Sequence, residues 1–337
     1  MIQQTLEIGP IHSWLPGPMR IQLGLAGDEI RSFEAGFGYA SRGIESRMLG
    51  QHFSSAQVIF NRIEPESALL LDRLYSEAVE AAVGVEPGPR VFWLREVTTR
   101  LGELNHQLKF LSRMASRLGL RILYHSILKH RENLLDLFEL LSGSRYGYFF
   151  LVPGGARYDL TEGFQVRLEG WLRSFLADYE RIEALFCWTH RLHDRFHSIG
   201  MVLDSGNYGF VSESAVESTR YGQVSHVKSR LDFSLRGTRE LSLELKELVA
   251  EGAAGAYRHP IPENTPDTRV EKELETIRGV WRLELTLDRQ QRLETFGVSA
   301  PSDLIKEAMH PALDGESIED LPLILESLSL SVSEVDR

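Results

Sequence analysis

The sequence predicts a mainly α-helical protein with small β parts, and three patterns carry this prediction. Apolar residues recur at intervals of three and four from Trp93 to Leu118 and again from Leu168 to Phe186, as on the buried face of a helix. Near the start of the chain, apolar residues alternate with others from Ile21 to Leu25, as in a half-buried strand. Long helices are therefore expected to form the core, with short strands beside them.

Five helices follow from the apolar spacing. They are predicted from about Glu66 to Val83, from Trp93 to Leu118, from about Ser126 to Leu141, from about Glu162 to Thr189 and, in a shorter stretch, from about Arg239 to Glu251. Glycine follows several of these segments, as is common at helix C-termini. The middle of the chain is therefore expected to be an antiparallel helical bundle.

Strands are predicted toward both ends of the chain. Ala26–Glu29 offers a turn between the Ile21–Leu25 strand and Ile30–Phe33, which predicts a β-hairpin, and Val280–Leu285 alternates like a further strand. We expect one domain over 1–337. Its parts are an N-terminal hairpin region (1–35), a helical core (66–190), a linker-like segment rich in glycine and proline (252–270) and a C-terminal β/α part (271–337).

Composition and charge narrow the possible functions. The 337 residues are 42% apolar and 25% charged, as in globular proteins, and the formal charge of −11 argues against nucleic acid as a partner. The one cysteine, Cys187, excludes an internal disulfide and an iron–sulfur cluster held by this chain alone, and it favours a reducing compartment. The sequence has no signal-peptide pattern and no long uncharged apolar run, so membrane attachment is expected to go through a partner.

Candidate sites read from the residues alone are weak. His190, His193 and His197 would share one helix face as metal ligands do, but interleaved charged residues favour a solvated helix end. Cys187 is interpreted as a packing residue rather than a nucleophile. Gly154–Gly155 has backbone N–H groups that suit an anion, but a tight turn is the default interpretation. These patterns predict no active site.

Several short motifs resemble the 49-kDa-type subunit family (the D subunits) of respiratory NADH:quinone oxidoreductase, or complex I, which is related to the nickel–iron hydrogenase large subunit. Gly9–His12 resembles the opening Gly-Pro-Gln-His of that family, Arg42–Glu45 its Arg-Gly-x-Glu and Ala78–Glu80 its Ala-Val-Glu. Near the other end, Ala300–Ser302 resembles its Ala-Pro-Ser and Val335–Arg337 its final Val-Asp-Arg. The resemblance implies a hydrogenase large-subunit-like helical bundle.

The resemblance also implies that two quinone positions are substituted. A histidine and a tyrosine of the 49-kDa-type subunits are held to bind the quinone headgroup and to supply its protons, and by spacing they correspond to Pro16 and Pro65. Proline has no titratable group and no side-chain donor, so neither residue can take that role. If quinone is reduced here, the nearby candidates for proton donors are His12, Tyr39 and His52.

The positions that hold the nickel–iron centre of the hydrogenases are substituted as well. By resemblance, their four cysteines correspond to Glu64, Ser67, Ser331 and Glu334. Such a centre needs soft thiolates, so hydrogenase activity is not expected. Carboxylates and hydroxyls favour a hard cation such as Mg²⁺ instead. Pairing of these side chains with Arg62 and Arg337 is the simpler expectation.

One pair of oppositely charged residues on a helix indicates that the fold is maintained despite substitutions. Where relatives show Glu-x-x-Arg on a helix, this chain has Arg100 and Glu103, which keeps an i, i+3 pair with its charges swapped. Around the substituted site, five residues are expected to be structural or interface residues, namely Arg42, Glu45, Arg62, Asp336 and Arg337.

The first hypothesis is therefore a mainly structural, peripheral subunit of a membrane-bound redox complex of this type. The resemblance implies three partners, namely a small iron–sulfur subunit, a protein like the C subunits of such complexes and a membrane-embedded subunit, and a location on the cytoplasmic face of the membrane. This chain itself is expected to bind no cofactor, with an iron–sulfur cluster in a partner. The alternatives are a quinone-reducing subunit with other proton donors, and a stand-alone binding protein on the inherited fold.

Overall fold

A computed structural model describes residues 4–187, 199, 201–203, 223–262 and 268–337 of the chain. It begins with an antiparallel sheet of three strands, β1 (Gln4–Ile8), β2 (Arg20–Ala26) and β3 (Glu29–Gly36), with β2 in the centre. Gly27, in the left-handed region at φ 70°, lies in the turn between β2 and β3. This hairpin is the one predicted from the alternating residues, whereas β1 was not predicted.

Among the described residues, seven α-helices make up the first and central parts. They are α1 (Ile44–Met48), α2 (Phe53–Phe60), α3 (Ala68–Val83), α4 (Pro89–Arg117), α5 (Arg121–Ser142), α6 (Glu162–Cys187) and α7 (His226–Glu251). A 3-10 turn, Pro65–Ser67, precedes α3. Helix α4 packs against α5 and α7, and α6 also packs against α5 and α7, which confirms the predicted helical bundle.

Helix α7 begins thirteen residues before the predicted start at Arg239, so that prediction was wrong. The start was missed because the buried face of α7 includes polar side chains, which interrupt the apolar repeat used to predict helices. Ser234, Thr238 and Ser242 are fully buried, and two of them bond along their own helix, from Thr238 to the Ser234 carbonyl and from Ser242 to the Thr238 carbonyl.

The C-terminal part combines a second sheet with three helices. The sheet is antiparallel with β9 central, and its strands are β8 (Arg269–Thr276), β9 (Gly279–Leu287) and β10 (Leu293–Ser299). The helices that follow are α8 (Pro301–Leu313), α9 (Leu321–Leu328) and α10 (Val332–Val335). Two short pairs complete the described strands, β4 (Leu151–Val152) with β5 (Gly155–Ala156) and β6 (Met201–Leu203) with β7 (Gln223–Ser225). The predicted strand 280–285 lies within β9.

The tight turn predicted at Gly154–Gly155 joins β4 to β5. The Gly154 N–H donates to Glu80 Oε1 at 2.7 Å, so this donor already has an acceptor within the protein. Residues 257–259, from the predicted linker-like segment, pack directly on the turn. A Cβ on Gly154 would lie 2.3 Å from the His259 carbonyl oxygen, and one on Gly155 would lie 2.2 Å from that of Tyr257. Both glycines are therefore required by close backbone packing.

The core has two parts. Apolar side chains of α4, α5, α6 and α7 form the larger part, together with those of β2 and α9. Those of α2 and α3 form the smaller part against the β8–β10 sheet. The fold class, mainly α-helical with small sheets, is the one predicted. Within the described residues, no helix combines the length and apolar character needed to cross a membrane.

Candidate functional site

The N-terminal and C-terminal segments of the chain are held together by hydrogen bonds. Arg42 donates to the backbone carbonyls of Ile63 at 3.0 Å and Ser333 at 2.7 Å. Asp336 accepts from the backbone N–H groups of Gly38 at 2.7 Å and Ala40 at 2.9 Å. These contacts bring the loop before α1 against α10 and fix the position of the final helix.

Arg337 adds a second set of contacts beside these. Its guanidinium pairs with Glu45 at 2.8 Å and with Asp303 at 3.0 Å, and it donates to the Val298 carbonyl at 2.9 Å. The structure thus brings together four of the residues predicted to be structural, Arg42, Glu45, Asp336 and Arg337. Arg62 lies apart from these ion pairs, with its guanidinium 4.0 Å from the centre of the Tyr148 ring.

A buried arginine lies where α8, α9 and α10 meet the turn between β8 and β9. The Arg278 guanidinium donates to both carboxylate oxygens of Glu334 and also to Ser302 Oγ at 3.3 Å and the Ser329 carbonyl at 2.9 Å. Ser302 donates from its backbone and its hydroxyl to the same carboxylate. Only 7% of the Arg278 side chain and none of Glu334 is exposed, so this ion pair is shielded from water.

Glu64 completes what we call the Arg278 cluster, made of Glu64, Arg278, Ser302, Ser331 and Glu334. The Glu64 carboxylate accepts from the Ser331 hydroxyl and, at 2.8 Å, from the Ser333 hydroxyl. Three of the four positions compared with metal-binding cysteines thus lie in one hydrogen-bonded group. The fourth, Ser67, instead bonds through its hydroxyl to His106 Nε2 at 2.9 Å.

The expected pairing of these side chains with Arg62 and Arg337 was wrong. Arg278 supplies the positive charge, and no sequence pattern indicated it because Arg278 lies at a β-hairpin turn, where charged residues are usually solvated. Burial alone lowers the pKa of Arg278, but Glu334 and Glu64 outweigh burial and raise it, so the guanidinium stays charged.

The donor set does not fit a metal centre. The cluster has no thiolate, and its oxygen atoms already bond to each other or to the guanidinium. A divalent cation placed here would also be repelled by the charge of Arg278, which disfavours Mg²⁺. Among the residues that the structure describes, no group of three or more histidine, cysteine or carboxylate side chains is arranged to hold a metal ion. His190, His193 and His197 lie outside the described residues.

A cavity of about 80 Å³ adjoins the Arg278 cluster. Pro16 lines one side of it, Glu64, Arg278 and Ser331 line another, and His106 of α4 lies between them. Pockets for drug-sized ligands usually measure about 300–1,000 Å³. The cavity is therefore smaller than such pockets, and the Pro16 side chain itself offers no hydrogen-bond donor. Pro65, the other position compared with a quinone-binding residue, begins the 3-10 turn that precedes α3.

His106 is a buried titratable residue of this cavity that was not among the predicted proton donors. Burial lowers its pKa to about 3, and the nearby positive charges of Arg278 and Lys109 lower it further, so the imidazole is neutral at pH 7. The one signal for it in the sequence is that Asn105–His106 also resembles a motif of the 49-kDa-type subunits. A neutral histidine bonded to Ser67 serves packing well and proton donation poorly.

The three proposed alternative proton donors lie elsewhere, and none lines the cavity. His12 is exposed and contacts Trp14 through its ring. Tyr39 is half exposed beside β3. His52 caps the N-terminus of α2, where its ring accepts from the Ser54 N–H. The structure therefore does not bring these residues together into one site.

The charge-exchanged pair on α4 keeps contact, since Arg100 and Glu103 lie 3.8 Å apart. Arg100 also pairs with Glu244 of α7 at 2.8 Å. Burial raises the pKa of Glu103 to about 7 against the opposing effect of Arg100. The pair thus contributes to packing between α4 and α7 rather than to the cavity.

Comparisons with known proteins show which family this chain is similar to. A family model for the 49 Kd subunit of respiratory-chain NADH dehydrogenase matches residues 118–212. The D subunit of the F(420)H(2) dehydrogenase of Methanosarcina mazei is 25% identical over 99% of this chain and 98% of its own length. The D subunit of the NADH-quinone oxidoreductase of Thermus thermophilus is 24% identical over 99% of this chain and 94% of its own length.

One solved structure gives the same fold over nearly the whole chain. It is a chain of the membrane-bound sulfane sulfur reductase, an archaeal respiratory membrane complex, with a TM-score of 0.87 and 19% identity over 99% of this chain and 98% of that one. The motifs, the curated relatives and the fold agree with one another. This chain is similar to the 49-kDa-type subunit family of complex I, the resemblance that its opening and closing motifs indicated.

Proposed function

We propose that this chain is a structural subunit of a membrane-bound respiratory complex and performs no metal or quinone chemistry of its own. The relatives named as D subunits of NADH-quinone oxidoreductase and of F(420)H(2) dehydrogenase support the type of complex. The complex would be anchored by a membrane-embedded subunit and would carry its iron–sulfur clusters in a small partner subunit. A protein like the C subunits of such complexes completes the proposed partners, on the cytoplasmic face of the membrane.

The observation that carries this proposal is the Arg278 cluster. In a metal site, four donor side chains are left open toward one ion. Here the Arg278 guanidinium provides the positive charge in place of a metal ion by donating to Glu334. The Ser331 hydroxyl donates to Glu64. The substituted positions in the cluster thus hold the C-terminal helices in place, so the group has a structural role with no open coordination site.

Two exposed apolar side chains support a partner surface. Ile11 is 88% exposed and Ile122 is 84% exposed, the two highest values among the large apolar residues described. They lie on neighbouring segments, since Arg117, at the end of α4 and shortly before Ile122, donates to the Trp14 carbonyl. Apolar side chains that are exposed on neighbouring segments are a feature of partner interfaces.

The test is affinity purification of the tagged chain from mildly solubilised native membranes, followed by mass spectrometry and a quinone-reductase assay. We expect an iron–sulfur subunit and a membrane-embedded subunit to co-purify. An Ile11→Asp/Ile122→Asp variant should lose these partners while its unfolding midpoint stays unchanged. Val166→Asp, at an exposed position on α6, is the matched control and should keep them.

Two results would overturn the proposal. Elution of the chain alone from the soluble fraction would favour an independent binding protein on the same fold. Quinone reduction by the purified complex that is abolished by His12→Asn or Tyr39→Phe would favour a quinone-reducing subunit with other proton donors. Activity of the complex that survives both substitutions agrees with a structural role for this chain.

A further inference from the structure

Asp72, on α3, is a fully buried carboxylate that has no cation beside it. Its Oδ1 atom accepts from Gln57 Nε2 at 2.7 Å and from Asn61 Nδ2 at 3.2 Å, and its Oδ2 atom accepts from the Phe149 N–H at 2.7 Å. All three donors are neutral. An ionised carboxylate without a cation is costly in the interior, so Asp72 holds a proton more readily than an exposed carboxylate does.

The charged groups around α3 do not compensate Asp72. Helix α2 and the β4–β5 pair contain no charged residue. The titratable groups on the other neighbouring elements have partners of their own, namely Arg73 with Glu77 and Glu96, Arg95 with Glu80, Arg100 with Glu103, His106 with Ser67, Tyr75 with the Phe53 carbonyl, Tyr148 with Arg62, Arg269 with Glu284 and Arg282 with Glu273. Three charged residues of β8 are outside these pairs, Glu271, Lys272 and Glu275. Burial raises the pKa of Asp72 to about 7 against its three hydrogen bonds, and no charged group of the described residues contributes.

Asn61 provides an unused acceptor beside this carboxyl group. Its side chain is fully buried, and its Oδ1 atom has no hydrogen-bond partner within the described part of the chain, although buried acceptors are normally satisfied. A turn of the amide about its terminal bond would bring Oδ1 to the present place of Nδ2, 3.2 Å from Asp72 Oδ1. A protonated carboxyl group has the O–H donor that this oxygen lacks. The ionised form of Asp72 therefore suits the three donors, and the neutral form suits the Asn61 oxygen.

The loop 143–150 joins α5 to β4 and is held to α3 through Asp72. Phe149 lies at φ 61°, in the left-handed region that residues other than glycine rarely adopt, and its N–H donates to Asp72. Such a conformation persists only when surrounding contacts hold it. The same loop carries Tyr148, whose ring centre lies 4.0 Å from the Arg62 guanidinium. The charge on Asp72 therefore acts on the position of the loop.

We propose that Asp72 is a proton-binding site of the folded chain, and that uptake of one proton from water loosens the loop 143–150. The proton forms the O–H bond of a neutral carboxyl group and returns to water when the carboxylate forms again. A neutral carboxyl group accepts hydrogen bonds more weakly than a carboxylate, so the Phe149 N–H is held less tightly in the protonated state. This inference goes beyond the proposed function and does not depend on it.

The first test is urea unfolding of the purified full chain and of Asp72→Asn at pH 5 and pH 8. Asparagine has the shape of the neutral acid but cannot ionise. The ordinary pKa of aspartate is 3.8 and the folded chain raises it to about 7, so the stability that the proton provides is complete below pH 3.8 and is lost as the pH rises through 7. From pH 5 to pH 8, the unfolding constant of the natural chain should therefore rise about a hundredfold relative to that of Asp72→Asn.

Asp314→Asn, at an exposed position, is the matched control, and its unfolding constant should keep one ratio to that of the natural chain. A constant ratio for Asp72→Asn as well would overturn the proposal, because Asp72 would then not change its charge in this range. If Asp72→Asn does not fold, carbon-13 NMR of the natural chain with labelled aspartate carboxyl groups decides. One aspartate resonance should titrate near pH 7, and the lack of such a resonance would equally reject the site.

Hydrogen exchange tests the effect on the loop. After correction for the intrinsic exchange rate, the Phe149 amide proton of the natural chain should exchange about tenfold faster at pH 5 than at pH 8. In Asp72→Asn the corrected rate should not depend on pH. Equal protection of this amide in the natural chain at both pH values would show that the proton does not loosen the loop.

Discussion

Two arginines of this chain each join several acidic groups, Arg278 in the interior and Arg145 on the surface. Arg145 follows α5 and pairs with Glu132 and Asp136, with 41% of its side chain exposed. Arg278 pairs with Glu334 and has 7% of its side chain exposed. The same functional groups therefore meet in two very different dielectric surroundings.

The difference shows which of the two arginines the fold depends on. Exposed ion pairs contribute little, because water and salt screen them and because two flexible side chains must be ordered. A buried pair differs, since removal of one partner leaves the other charge without compensation in the interior. The Arg278 cluster should therefore contribute strongly to the stability of the fold. The Arg145 group should contribute little to it.

The largest effect is expected from Arg278→Gln. It leaves Glu334 and Glu64 buried without their cation and should lower the free energy of unfolding by about 3–5 kcal/mol. Urea denaturation at pH 7 measures this value. A loss below about 1 kcal/mol would mean that the cluster resembles the surface group after all.

The second prediction concerns acid pH. The ordinary pKa of Glu66 is 4.5 and the folded chain holds it at about 2, so its stabilising effect is complete above pH 4.5 and is lost as the pH falls toward 2. The difference corresponds to up to about 3 kcal/mol. Glu66→Gln should therefore be clearly less stable than the natural chain at pH 7.

At pH 3 the free energies of unfolding of these two proteins should lie closer together. Urea unfolding at both pH values makes the comparison. A gap between the two proteins that stays constant from pH 7 to pH 3 would show that Glu66 is not held ionised by Lys109 and Arg131.

A smaller loss is expected from Asp336→Asn. Both carboxylate oxygens accept from backbone N–H groups, of Gly38 and Ala40, and the amide of asparagine keeps only one acceptor oxygen. One part-buried donor then lacks an acceptor, which costs about 1–2 kcal/mol. Thermal unfolding tests this, and Asp314→Asn, at an exposed position after α8, is the control and should be neutral.

Arg145→Gln should have the smallest effect, about 0–1 kcal/mol. That small loss should also shrink further at high salt, because all partners of Arg145 are exposed. Urea unfolding at low salt and at about 1 M sodium chloride provides the measurement. A loss as large as that of Arg278→Gln would remove the distinction between the two regions.

Much of the fold could be predicted because the helices carry regular apolar repeats. Helix α4 is the clearest case, since its buried side chains recur at three and four residues along almost its whole length. Helix α7 shows where such reasoning fails. Its buried Arg230, Ser234 and Thr238 interrupt the repeat, and the compensating hydrogen bonds only exist in the folded chain.

The site was only partly predictable for a related reason. Resemblance marked Glu64, Ser331 and Glu334, and Glu64 meets Ser331 only through a contact between residues 267 positions apart. It did not mark Arg278, because a charged residue at a hairpin turn usually points to water. Nor did it mark the cavity, whose lining comes from several helices and a turn.

The distance in sequence between Glu64 and its partner Ser331 has a consequence for synthesis. A ribosome that adds about 5–20 residues per second makes Ser331 roughly 13–53 s after Glu64. Through that interval Glu64 lacks its hydroxyl partners, and Arg278, once made, lacks Glu334. Until α10 docks, the nascent chain therefore has charged side chains that lack their partners. Factors that bind acidic or basic surfaces have that period in which to act.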